Sequence, residues 1–325
     1  MKKNLLLIDS PTYPKNFGKY LSQISNSNVT IVKEDKAEII KKIKTANALI
    51  NCPRRFFDND ILKIGKNLEW VHSGAAGIEE YIFKEFISSN IKFTNGRIMQ
   101  GPEIADHAIG LILSISRNIY LFARREKGKF KRPIELNNKV CGVVGLGGIG
   151  LLIAERLKTF GMKVIGFSEE IIPMVSFIDE SFRGNKLKDK ISQMDVVVCT
   201  APLTNDTKKM FNKSLLSKMK NQSILINVSR GSLIDPNALL DSKINSKFLG
   251  IGLDVTEPDP LPNNHKLRKI KNIIITNHTS GLSDNNRLRA RNLMIENIQR
   301  FSKNMHLLNI CLLYTSDAAD DPVRV

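Results

Sequence analysis

Short apolar runs alternate along the first hundred positions with stretches whose apolar residues recur every three or four places. The runs at 5–8, 29–32, 48–51, 68–72 and 91–93 predict strands, and the intervening segments, 37–44 and 58–64 among them, predict helices. Strands that are apolar throughout and separated by helices belong to a parallel sheet covered on both faces. A helix is predicted over 102–124, with Pro102 suited to its first turn. Its apolar residues, from Ile109 through Leu113, Ile115 and Ile119 to Phe122, run nearly all the way round. A helix apolar on every side is buried, which predicts a place between domains or in a subunit contact. The pattern then resumes with an apolar run that starts at Val140 and ends in a glycine-rich turn, followed by strands at 163–167, 196–200, 223–228, 250–253 and 273–276, a second doubly wound sheet. The last helix, from Asp284 onward, is expected to return to the first domain. The domains expected are therefore 1–102 with 285–310, and 103–284, with a cleft between them.

The strand that opens the second set ends in a glycine fingerprint. Gly145, Gly147 and Gly150 stand at Gly-x-Gly-x-x-Gly spacing, with Gly148 and Ile149 between them. A side chain at the first would block the tight turn, one at the second would hold a pyrophosphate off the backbone, and one at the third would push the helix from the strand. The helix from Gly148 to about Phe160 then aims its free N–H groups and positive dipole end at the phosphates. The next strand ends at Ser168-Glu169-Glu170, about twenty residues beyond the last glycine, where an acid meets ribose hydroxyls. This is a dinucleotide-binding pattern with the right context on both sides.

Composition narrows the class. The 325 residues suit one large or two ordinary domains, and no apolar run is long enough to span a bilayer. The basic start and short apolar run at the N-terminus read as a first strand, because Asp9 interrupts them and no cleavage site follows; the cytoplasm is the default location. Cys52, Cys141, Cys199 and Cys311 have neither metal-ligand spacing nor the density of a disulfide scaffold, so no metal is expected. The net charge of +17 invites a nucleic-acid partner, but the lysines are scattered through every segment, and no specific nucleic-acid or membrane partner is expected. Residues 311–325 stand apart: Cys311 to Asp320 resemble a translated sequencing adapter, and the segment carries three Asp against one Arg, so it is read as a non-native tail.

Three further segments place polar groups just past strands, where α/β sheets bind their ligands. They are Asn227-Val228-Ser229-Arg230-Gly231-Ser232, Leu253-Asp254-Val255-Thr256-Glu257-Pro258-Asp259-Pro260-Leu261-Pro262, and Thr276-Asn277-His278-Thr279-Ser280-Gly281. With the glycine fingerprint, this order resembles the D-isomer-specific 2-hydroxyacid dehydrogenase family, of the glyoxylate/hydroxypyruvate reductase or phosphoglycerate dehydrogenase kind. The resemblance covers nearly all of 1–310 and is strongest over 140–283. It implies a Rossmann NAD-binding domain and a flavodoxin-like substrate domain. It gives Arg230 the carboxylate and carbonyl of the substrate, a task suited to a guanidinium fork. His278 matches the general acid/base, and its partner acid, a Glu in the family, is here Asp259, one methylene shorter. Glu257, two residues upstream, is the less favoured alternative.

The same resemblance places Ala75, Ala76 and Gly77 against the substrate carboxylate, and Ala201, Pro202 and Thr204 beside the adenine. It sets Val228, Ser229 and Asp254 near the nicotinamide. Ile104-Ala105-Asp106-His107 matches the start of the interdomain helix, with His107 structural. NAD is favoured over NADP because acids rather than an Arg follow the second strand, with Ser168 where an Asp is usual. A small 2-oxo or 2-hydroxy acid is the implied substrate, its identity set by first-domain side chains such as Arg54, Arg55, Met99 and Gln100; a homodimer is the implied assembly. The alternative from another class is a catalytically weak NAD-sensing binding protein, comparable to the corepressors that resemble this family.

Overall fold

The structure, a computed structural model, describes residues 2–75, 77, 81, 83–128, 130–169 and 175–311. Of the positions singled out above, Ala76, Glu170 and all of the tail except Cys311 lie outside the described residues. The chain forms two compact units, one comprising the chain up to Gln100 and from Ser283, the other Gly101–Leu282.

The strands of the first unit are β1 (Asn4–Ile8), β2 (Asn28–Val32), β3 (Ala48–Ile50), β4 (Trp70–His72) and β5 (Lys92–Thr94). Those of the second are β6 (Val140–Val144), β7 (Lys163–Phe167), β8 (Glu180–Phe182), β9 (Val196–Cys199), β10 (Ile224–Asn227), β11 (Gly250–Leu253) and β12 (Ile273–Ile275), and β13 (Ile310–Cys311) returns to the first. The helices are α1 (Phe17–Ser25), α2 (Lys36–Ile43), α3 (Asn59–Ile64) and α4 (Lys84–Ile87), then α5 (Gly101–Ser116), α6 (Ile119–Ala123) and α7 (Gly148–Thr159). After them come the short α8 (Leu187–Lys190), α9 (Lys213–Ser217), α10 (Pro236–Leu240) and α11 (Ser242–Asn245), and the long α12 (Asn286–Ser302).

In the first unit the sheet order is β13-β5-β4-β3-β1-β2, parallel except for the antiparallel β13. Successive side chains of a strand face opposite ways. Leu5 and Leu7 therefore meet Phe17 and Leu21 of α1 and Met294, Ile298 and Phe301 of α12, while Leu6 and Ile8 meet Ile39 and Ile43 of α2 and Ile61 of α3. Asp35 and Asp58 start α2 and α3 by accepting hydrogen bonds from backbone N–H groups of the first turn. β13 was not legible in the sequence: Cys311, assigned there to the tail, pairs with Phe93 and is buried.

The second sheet runs β12-β11-β10-β9-β6-β7-β8 and is parallel throughout. Its order reverses between β6 and β9, the switch point at which such sheets open a crevice at their carboxyl edge. The helix expected over 102–124 is two helices. Asn118, in left-handed backbone at φ 58°, ends α5 and starts α6. α5 buries Ile104, Ala105, Ala108, Leu111, Ile112 and Ile115 among Val143, Val198, Ile226 and Ile153 of its own unit, which accounts for its apolar faces. α6 departs from the expectation of burial on every side, since Ile119 and Phe122 are 54% and 61% exposed. Among the described residues no helix is long and apolar enough to cross a membrane, and no cluster of His, Cys, Asp or Glu could hold a metal ion.

At the carboxyl end of β4, His72 is buried and its Nδ1 lies 2.8 Å from Thr94 Oγ1, which also accepts from Trp70 Nε1 at 2.9 Å. The hydroxyl has one proton and two lone pairs, so it serves both rings whichever tautomer His72 adopts. Burial drives the His72 pKa down from 6.5 to about 4. The unfolded chain takes up the proton near pH 6.5, whereas the folded one resists until about pH 4. Stability is therefore fully present above pH 6.5 and falls through that window, by about 3 kcal/mol in all. Urea denaturation between pH 7 and 4 is expected to show this slope in the wild type and to lose it in His72→Gln.

Candidate active site

The fingerprint sits at the switch point of the second sheet, and each glycine has its own reason. Gly145 leaves β6 at φ +98°, and a Cβ on it would stand 2.5 Å from Ala201 N. Gly150 lies so near Gly145 O that any Cβ would collide with it. Gly147 differs: a Cβ there would meet nothing within 4 Å, because it points into open space at the start of α7. That start has no side-chain cap, so its backbone N–H groups face the same space. Thr200 Oγ1 donates to Gly145 O at 2.6 Å and ties the two switch-point strands together. This arrangement fits a dinucleotide pyrophosphate, with Gly147, Gly148 and Ile149 as the backbone cradle.

The flanking positions also fall on this edge. Ser168 N donates to Phe182 O, and Glu169 Oε1 lies over Gly184 just past β8. The loop after β9 is braced internally: Thr207 Oγ1 donates to Pro202 O at 2.6 Å, and Thr204 N donates to Thr207 Oγ1 at 2.7 Å. Ser229 Oγ donates to Ala201 O at 2.5 Å, so the segments after β9 and β10 are joined, with Val228 buried between them.

Arg230 follows β10 by three residues. The buried Asn227 fixes its turn, donating to Arg230 O at 2.8 Å and accepting from Ser229 N at 3.1 Å. Arg230 itself is half-buried, with Nη1 donating to Ser229 O at 2.9 Å. Gly231 lies against Thr256 O with no room for a Cβ, and Ser232 Oγ donates to Glu257 Oε2. Glu257 is thus engaged by the Arg230 segment and Asp259 by the imidazole: His278 Nδ1 donates to Asp259 Oδ2 at 2.7 Å. A carboxylate can only accept, so Nδ1 carries the hydrogen and Nε2 is left to exchange a proton. His278 keeps 54% of its side chain exposed.

Asp254, expected from the resemblance near the nicotinamide, is buried beneath this turn. Its Oδ1 accepts from Thr276 Oγ1 at 2.6 Å and Thr279 N at 2.9 Å, and Oδ2 accepts from Ser280 N at 3.1 Å. Burial alone raises the carboxyl pKa, but the hydrogen bonds from Ser280, Thr276 and Thr279 outweigh it and hold Asp254 below the ordinary aspartate range. His107 of α5 adds its Nε2 at 2.9 Å from Thr276 Oγ1. Since that hydroxyl gives its proton to Asp254, His107 Nε2 is the donor. Thr276 and the anchoring role of Asp254 were missed from the sequence; they sit level just past β12 and β11, a pairing that only the sheet register reveals.

In the first unit, Ala75 and Gly77 lie on the turn after β4. Ala75 N donates to Ser73 Oγ at 3.2 Å and Ala75 O accepts from Gly96 N at 2.9 Å, so this amide is engaged within the turn.

Residues 109–280 match the family model described as D-isomer specific 2-hydroxyacid dehydrogenase, NAD binding domain. A protein of Corynebacterium melassecola, named only as uncharacterized and encoded in the proB 3′ region, is 30% identical over 285 residues, covering 85% of this chain and 91% of that one. The glyoxylate reductase of Thermofilum pendens is 28% identical over 300 residues, covering 86% of each chain. Among solved structures, a D-isomer specific 2-hydroxyacid dehydrogenase family protein from Aeromonas salmonicida superposes with a TM-score of 0.75 at 25% identity, over 95% of this chain and 99% of that one.

The glycines separate stability from ligand binding. Gly150→Ala is expected to lower unfolding stability by about 1–3 kcal/mol through the clash with Gly145 O. Gly147→Val is expected to leave the melting temperature within about 2 °C and to weaken NADH binding at least tenfold, since its side chain fills space rather than displacing protein. Thermal unfolding and NADH fluorescence titration check both.

Proposed function

The chain belongs to the D-isomer specific 2-hydroxyacid dehydrogenase family of NAD(P)-dependent oxidoreductases, and we propose that it interconverts a small 2-oxo acid and its D-2-hydroxy acid, with glyoxylate the first substrate to try. The observation that carries this reading is the 2.7 Å bond between His278 Nδ1 and Asp259 on the edge that also bears Arg230 and the glycine turn.

In this reading Arg230 pairs its guanidinium with the substrate carboxylate and carbonyl oxygen, which turns the C2 carbon toward the cofactor face of the sheet edge. His278 Nε2 gives its proton to the carbonyl oxygen as that oxygen gains charge, and takes it back when the hydroxy acid is oxidised. Asp259 holds the ring in the required tautomer and stabilises the cation present before transfer. When bound, a nicotinamide would supply or accept the hydride. Gly147, Gly148, Ile149 and Gly150 hold its pyrophosphate, and Glu169 meets the adenosine ribose, an arrangement that favours NAD because a carboxylate repels a 2′-phosphate. Ala201, Pro202 and Thr204 line the adenine side, and Val228 and Ser229 the nicotinamide side. The family resemblance assigns the substrate carboxylate to Ala75, Ala76 and Gly77 as well as to Arg230. The unit up to Gln100 and from Ser283 acts as the substrate domain and Gly101–Leu282 as the NAD domain.

The same reading makes the enzyme a cytoplasmic homodimer. Its four free cysteines suit a reducing compartment, and the exposed Ile119 and Phe122 offer an apolar surface to a second copy. The intact His278–Asp259 pair supports turnover over a purely sensing role.

NADH oxidation by the purified protein with glyoxylate, hydroxypyruvate, pyruvate and 3-phosphohydroxypyruvate tests the proposal. At least one is expected to turn over, with NADH preferred to NADPH, and His278→Ala is expected to lower kcat by about 10²–10⁴-fold. Full activity in His278→Ala, or no turnover of any 2-oxo acid, overturns it.

A further inference from the structure

The His278–Asp259 pair is made between two loops that leave neighbouring strands, and both side chains are partly in water, 54% and 29% exposed. An exposed ion pair contributes little by itself against the side-chain entropy of holding it together. An Asp also has only one methylene between backbone and carboxyl group, so its reach is set by where the backbone sits. Some other contact must therefore fix the separation of the two loops.

Arg268 stands in the 3₁₀ turn Lys266–Lys269, downstream of the Asp259 loop and upstream of the His278 turn. Its Nη2 donates to Leu261 O at 2.6 Å and to Asn277 Oδ1 at 2.9 Å, and its Nε donates to Pro262 O at 3.1 Å. One guanidinium thus binds the backbone two and three residues beyond Asp259 and the side chain one residue before His278. Buried Leu261 and Leu267 seat both ends of the intervening segment in the core, so the Arg268 backbone is itself anchored. Asn277 and His278 are both in left-handed backbone, φ 51° and 58°, a conformation with a steric cost that requires outside support.

We propose that Arg268 is a positioning residue for proton transfer: it draws the Asp259 loop onto the His278 turn and so lets a short acid hold the imidazole. The proposal rests on the reading of His278 as the proton-exchanging group. Arg268 touches neither substrate nor cofactor in this scheme and acts only through the pair.

Arg268→Leu is expected to lower kcat with the best 2-oxo acid by about 10- to 100-fold, the size of a misplacement near 1 Å, with KM and NADH affinity within about twofold of wild type. Adding Asp259→Glu is expected to restore most of that loss, because the longer side chain spans the widened gap, whereas Asp259→Glu alone gains nothing. Nitrogen NMR of the imidazoles gives a reading without turnover: the hydrogen-bonded Nδ1–H of His278 is expected in the wild type and lost to exchange in Arg268→Leu. The proposal is overturned if Arg268→Leu leaves kcat and the Nδ1–H signal unchanged. It is equally overturned if the loss is the same with Asp or Glu at 259, or if NADH affinity falls in parallel with kcat. Absence of turnover in the wild type sinks the functional reading alone, and the NMR outcome then decides the role of Arg268.

Discussion

Asp254 is a carboxylate buried at the end of β11, and the geometry of the whole sheet edge follows from the need to satisfy it. An unpaired buried carboxylate would cost several kcal/mol or more. The chain meets that demand by wrapping residues 276–280 around it, so that a hydroxyl and two backbone N–H groups point inward. The same turn carries Asn277 and His278 through left-handed backbone, and the imidazole stands partly in solvent. His278 N also donates to Asp254 O at 2.6 Å, so both polar ends of this aspartate hold the turn. The exposed position of His278 thus rests on a buried acid.

Close backbone approach does the remaining assembly. Gly145 against Ala201 joins the loops after β6 and β9, Ser229 against Ala201 joins those after β9 and β10, and Gly231 against Thr256 joins those after β10 and β11. Each contact needs either a missing Cβ or a small hydroxyl, and each links segments more than twenty residues apart in sequence. Because the second sheet is parallel throughout, all of these loops leave at one edge. The parallel sheet brings the segments together, and the glycines let them touch.

What was legible in the sequence reflects this division. The strands of both sheets could be read because buried parallel strands are continuous apolar runs. β7 and β11 were found residue for residue, β6 was found by its start at Val140, and the other strands read from the sequence fell within two positions at either end. β8 and β13 were not found: β8 reads Glu-Ser-Phe at an edge where burial does not dictate the pattern, and β13 has only two residues. The single helix expected over 102–124 failed at Asn118, because apolar content continued across a break that only backbone dihedrals record. In the site, the motif residues were legible since each carries chemistry a short pattern can name. Arg268 was not, because its partners are two main-chain carbonyls and an Asn, and no sequence pattern marks those as its targets.

Comparison of four of the five histidines shows why His278 suits proton exchange with a ligand. His72 is sealed in the first unit and burial lowers its pKa to about 4, so near neutral pH it lacks the second ring proton that an acid catalyst gives up. His265 uses Nδ1 to accept from Leu267 N and caps a 3₁₀ turn. His107 spends its Nε2–H on Thr276, inside the network that ends at Asp254. His278 alone of these four joins a carboxylate on one nitrogen to an exposed opposite side. An acid/base group must keep one nitrogen committed, to fix its tautomer and support its charge, and the other uncommitted, to meet the reacting oxygen. The same residue type appears here in four settings, and the hydrogen-bond partner of the second nitrogen, rather than proximity to a motif, separates the structural rings from the reactive one.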